Sequence, residues 1–93
     1  MIKEQIRDKG WEVLVSSESD INYFLLIKKL EEYAVLISSG PLDEREISWS
    51  KLDELKAYLE SKEFAEDYYL DTPEFIPFAE DLRTYYDIAV YRP

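Results

Sequence analysis

The sequence predicts an α+β fold: a short N-terminal helix, a three-stranded antiparallel meander, then two or three helices (αβββαα). Three observations carry this. Strand-like segments rich in Val, Ile, Leu and aromatics crowd into residues 11–38, joined by connections too short for a crossover helix. From Ser50 onward the apolar residues recur at helical spacing. No repeat, low-complexity stretch or linker interrupts the 93 residues, so a single domain spanning 1–93 is expected.

The first helix is expected over residues 2–9. Ile2 and Ile6 stand at i and i+4, and Gly10 follows at the position where a helix turns left-handed to end. Residues 11–15 alternate, which predicts a strand with Trp11, Val13 and Val15 on one face and Trp11 in the core. After a polar turn, residues 22–28 are apolar on both faces at their centre, as expected of a middle strand. Glu31 and Glu32 mark the next turn, and residues 33–38 form the third strand.

Residues 41–49 read as a charged loop with Leu42, Ile47 and Trp49 as anchors. Trp49 fits either a staple against the following helix or an exposed contact. Ser50-Lys51-Leu52-Asp53 resembles a capping box with Asp in the fourth place. Leu52, Leu55 and Leu59 then form one stripe, but Lys62, Glu63 and Glu66 occupy its next turns. The helix is therefore expected to bend or stop near Ser61, with a second one over 62–70. Thr72 and Pro73 suit a cap and a first helical position. Phe78, Leu82 and Tyr85 mark the final helical face, and residues 88–91 fit either its end or a short C-terminal strand.

Composition removes whole classes of function. The chain has no histidine and no cysteine, which excludes imidazole bases, thiol nucleophiles, zinc sites of the usual kind and disulfides. Its two glycines cannot build a phosphate-cradling loop. With 21 acids against 11 bases the net charge is −10, so direct binding to nucleic acid is disfavoured. No apolar run exceeds residues 23–27 in length, far below a bilayer span, and the start lacks a signal-peptide pattern. The expectation is a cytoplasmic protein with no membrane contact.

The charge is unevenly placed. Residues 1–30 hold five bases and five acids, while residues 31–93 hold six bases and sixteen acids. Between Glu63 and Asp81 seven acids stand without a base, interleaved with Phe64, Tyr68, Tyr69, Phe75 and Phe78. A solvated acidic face would keep a small protein soluble, but ordinary surfaces intersperse both signs. The missing counter-charges favour a docking surface for a basic partner. On a continuous helix Glu60, Glu63, Asp67 and Asp71 would align along one side, spaced somewhat like strand phosphates; a break near Ser61 would leave only the last three aligned. The candidate partner-binding residues are Glu60, Glu63, Glu66, Asp67, Tyr68, Tyr69, Asp71, Glu74, Glu80 and Asp81.

Tyr68-Tyr69 and Tyr85-Tyr86 are adjacent pairs, and at least one of each is expected at the rim because neighbours on a helix diverge by about 100°. The carboxylate pairs Glu66/Asp67 and Glu80/Asp81, with Asp43, Glu44 and Glu46, are the only candidates for acid–base or cation chemistry. Nothing in their pattern marks a cleft or a calcium loop. No catalytic residue, metal or cofactor is expected, and the protein is read as not an enzyme.

The opening Ile2-x3-Ile6-Arg7-x-Lys9-Gly10-Trp11-x-Val13 and the acidic, aromatic Glu63-Phe64-Ala65-Glu66-Asp67-Tyr68-Tyr69 carry a resemblance. In order of elements, the chain resembles the small acidic phage anti-CRISPR proteins that inhibit the RNA-guided nuclease of type II systems. The resemblance implies an inhibitor in a bacterial host cell, seated in the cleft that reads the PAM. Arginines there normally contact bases and phosphates, and carboxylates would engage them in bidentate pairs. An anti-restriction DNA mimic is a close cousin of this reading. Two other classes are an immunity protein or antitoxin capping a basic nuclease toxin, which would show the same acidity, and a structural subunit of a larger assembly, which would need an exposed apolar patch.

Overall fold

The computed structural model describes residues 2–20, 22–38, 44–68 and 73–91. The α+β order holds: α1 (Ile2–Asp8), β1 (Glu12–Glu18), β2 (Tyr23–Lys29), β3 (Glu32–Ser38), β4 (Glu44–Trp49), α2 (Leu52–Leu59), α3 (Lys62–Tyr68) and α4 (Phe75–Tyr86). The strands lie in the order β1-β2-β3-β4, all antiparallel.

The meander thus has a fourth strand where a charged loop was expected at 41–49. Paired to β3, it sets Arg45 beside Ile37, Ile47 beside Val35 and Trp49 beside Tyr33. These alternate with Glu44, Glu46 and Ser48, so the period of two is present. Charge conceals it, and charge is what an edge strand tolerates.

A second correction concerns β1. Val13 pairs with Ile27 and Val15 with Leu26, so Leu14 is the extra residue of a bulge. Val13 consequently packs on one face of the sheet with Trp11, while Leu14 and Val15 turn to the other. The expected common face of Trp11, Val13 and Val15 does not survive the bulge.

The two faces are covered unequally. Val15, Phe24, Leu26, Val35 and Ile37 pack under the three later helices, whose buried contributions include Leu55, Leu59, Phe64, Phe75, Phe78 and Leu82. On the opposite face Leu25, Ile27, Ala34 and Leu36 are covered by Ile6 of α1 with Trp11, Val13 and Tyr23. β2 is buried on both sides, as its apolar centre requires: Phe24, Leu25 and Leu26 are fully enclosed.

α1 ends as expected. Gly10 has φ 92°, its N–H donates to the Arg7 carbonyl (2.9 Å), and the Trp11 N–H donates to the Ile6 carbonyl (3.2 Å). These are the two bonds of a Schellman ending, with Ile6 and Trp11 supplying its apolar contact.

Two expected starts are displaced. α2 is preceded by Lys51, which is extended and makes no side-chain cap, so Ser50 does not cap it. α4 begins at Phe75 after Glu74, leaving Pro73 in a turn and not at the first helical position. The proposed cap Thr72 lies outside the described residues. Residues 88–91 are neither helix nor strand. Asp87, with φ 55°, ends α4, and its N–H donates to the Arg83 carbonyl at 3.2 Å. Among the described residues, no helix is long and apolar enough to cross a membrane.

Candidate acidic docking face

The break near Ser61 shapes this face. The Ser61 hydroxyl donates to the Tyr58 carbonyl (2.5 Å) at the end of α2, and its oxygen accepts the Phe64 N–H (3.2 Å) at the start of α3. One serine therefore closes one helix and caps the next. Phe64 and Ala65 are buried, so Glu63 and Glu66 are turned outward. The Phe64 ring lies 5.7 Å from Tyr58, edge to face, which fixes the rotation of α3 against α2.

Glu60 falls out of the row, as the break near Ser61 implies. It sits at the end of α2, half-buried, and accepts the Ala89 N–H at 2.9 Å, tying the C-terminal segment to the α2–α3 corner. Asp67 and Tyr68 occupy the last turn of α3. Tyr69 and Asp71 lie outside the described residues, so the row beyond Tyr68 does too.

Glu74 immediately precedes α4 and is half-buried; its Oε2 accepts from Asn22 Nδ2 at 3.5 Å, linking α4 to the β1–β2 turn. On α4 itself Phe75, Phe78, Ala79 and Leu82 face the core. Phe24 anchors them, with ring centroids 5.2 Å from Phe75 and 5.8 Å from Phe78. This orientation leaves Glu80 exposed and Asp81 half-exposed. The described candidate acids are therefore carried on two helices and at two helix ends.

Among the described residues, Glu63, Glu66, Glu80 and Asp81 have no ion-pair partner. The nearest bases in sequence are otherwise disposed. Lys62 lies over the Tyr91 ring, 5.7 Å from its centroid. Arg83 lines an open cleft of about 490 Å³ with Glu80, Ala79, Ile88, Ala89 and Val90. The sequence reading missed this cleft because it depends on how residues 88–91 return beside α4. Its one local sign was the i, i+3 spacing of Glu80 and Arg83.

Tyr85 is exposed and Tyr86 half-buried, as their adjacency requires. Burial raises the Tyr86 phenol above its ordinary pKa of 10.0, assisted by Tyr33 and Glu12 and opposed by Lys28. Trp49 is packed on Tyr58 at 5.6 Å, and among the described residues its buried indole nitrogen has no hydrogen-bond partner, so it packs against the core and is not an exposed contact. Among the described residues, no three acidic side chains gather into a possible cation site.

Comparison of the chain with protein-family models, with curated proteins and with solved structures finds no match.

Proposed function

We propose that this protein is a non-enzymatic inhibitor whose acidic helical half occupies a basic, nucleic-acid-binding cleft of a protein partner. In its most specific form, it is a DNA-mimic anti-CRISPR protein that blocks PAM recognition by a type II RNA-guided nuclease. The observation that carries this reading is the uncompensated run from Glu63 to Asp81, seven acids without a base. Glu63, Glu66 and Glu80 within it are exposed and have no ion-pair partner among the described residues.

Like charges held at this density repel one another, so the arrangement costs the isolated fold stability. A partner lined with arginines removes that repulsion and forms charge-assisted pairs in its place. The same field accelerates association and makes it sensitive to salt. The reading invokes no cofactor or metal, and the partner is a protein, not nucleic acid or a membrane.

The test is competition for PAM-bearing DNA on a guide-loaded type II nuclease, at about 50 and 300 mM salt. Dose-dependent loss of DNA binding, weaker at the higher salt, is the expected result. Undiminished DNA binding by nucleases of several type II systems would remove the anti-CRISPR reading. A basic nuclease toxin would then be the partner to try.

A further inference from the structure

The tip of the β2–β3 hairpin carries a second surface. Among the described residues only two other than glycine have left-handed backbone, Leu30 (φ 57°) and Asp87 (φ 55°). Aspartate adopts that conformation readily, and Asp87 uses it to end α4. Leucine does not. In a two-residue hairpin such as Leu30-Glu31, the positive-φ position ordinarily takes Gly, Asn or Asp. Leu30 is also 88% exposed, the most exposed large apolar side chain described. The position therefore holds a residue that strains the turn and contributes nothing to the core, which points to a role outside the isolated chain.

The flanking charges say what that role is. The tip reads Lys28-Lys29-Leu30-Glu31-Glu32, two bases and two acids disposed about the leucine. A two-fold axis through Leu30 brings the bases of one copy against the acids of another, which is the self-complementarity an isologous contact requires. The acids are available for it, and the bases are held by weak contacts they can exchange. Glu31 and Glu32 are exposed and have no ion-pair partner among the described residues. Lys29 is exposed, its Nζ donating to the Lys9 carbonyl at 3.0 Å. Lys28 stands over the Tyr33 ring, 5.3 Å from its centroid.

Net charge agrees. The protein carries −10, yet the five-residue tip sums to zero. Two copies of so acidic a chain meet with less repulsion at a neutral tip than across the acidic helical face. We propose that the β2–β3 hairpin tip is a self-association surface, where Leu30 packs on Leu30 of a second copy and Lys28 and Lys29 pair with its Glu31 and Glu32.

Sedimentation equilibrium from about 10 μM to about 1 mM tests this with the intact chain, an interval suited to a weak dimer. The wild type is expected to dimerise with concentration. Leu30→Gly is expected to raise the dimer dissociation constant at least about tenfold while raising the Tm, because glycine relieves the turn. The double variants Lys28→Glu/Lys29→Glu and Glu31→Lys/Glu32→Lys are each expected to be monomeric alone and to form a heterodimer when mixed. A wild type that stays monomeric throughout overturns the proposal. So does a dimer indifferent to all three changes, or a mixture of the double variants that stays monomeric.

Discussion

At the residue scale, several side chains hold the molecule at its corners, and each makes a separate claim. Ser61 joins α2 to α3 by donating to the Tyr58 carbonyl and accepting from the Phe64 N–H. Ser61→Ala removes both bonds and is expected to cost about 1 kcal/mol, within the usual range for a lost cap. Thermal unfolding would read this as a fall in Tm of about 4–8 °C for a domain of this size. Asp87 works the other way. Its left-handed backbone suits glycine better, and its 3.7 Å pair with Lys56 is made by a side chain that is 98% exposed. Such a pair contributes little. Asp87→Gly is therefore expected to raise stability by about 0.5–1 kcal/mol, measurable in denaturant. Tyr86 links stability to alkaline pH. Its pKa is raised in the fold, chiefly by burial, above the ordinary 10.0. Below pH 10 both states keep the proton. Above it the unfolded chain ionises first, so the contribution of Tyr86 is lost as pH rises from 10 through its folded pKa. Denaturation midpoints between pH 9 and 11 should fall less steeply in Tyr86→Phe than in the wild type.

At the scale of elements, the strand β4 makes the most exposed claim. Because it pairs with β3 along Tyr33–Trp49 to Ser38–Glu44, β3 is an inner strand with both sets of backbone groups bonded. Hydrogen exchange is expected to protect alternate β3 amides on both sides, including those directed at β4. Fast exchange of that second set would return residues 44–49 to a loop. Much of the element order was legible because it rests on local signals. Gly10 ends α1, the doubly apolar centre of β2 requires an inner strand, and Leu52, Leu55 and Leu59 fix the buried side of α2. The misreadings arose where one residue or one contact outweighs the pattern. Leu14 bulges and reverses the alternation after Val13. Glu44, Arg45 and Glu46 disguise an edge strand whose pairing only β3 supplies. The candidate face was legible as charge and in its break near Ser61, but not in the contacts its ends make. Ser61 breaks the helix, so Glu60 turns to the Ala89 N–H and leaves the row, while Glu74 is taken up by Asn22.

Across the whole molecule, scaffold and charge are divided between its two parts. The sheet, with α1 on one face and three helices on the other, supplies the enclosed core, while the charge collects on the helical half. Charge of one sign at that density lowers stability, and removing it should not. Glu63→Lys with Glu66→Lys changes two exposed residues whose neighbours Phe64 and Ala65 keep the core intact. The fold and its Tm are expected to be preserved or improved in this variant. The most direct measurement sets it beside Glu31→Lys with Glu32→Lys, which makes the same change in net charge at the hairpin. Each is titrated against PAM-bearing DNA on a guide-loaded type II nuclease. The account predicts that the hairpin variant inhibits within about threefold of the wild type, whereas the α3 variant loses inhibition by at least about a hundredfold, in line with losing buried charge pairs. Equal inhibition by the two variants would contradict it, because the acidic helical face would then be surface charge and nothing more.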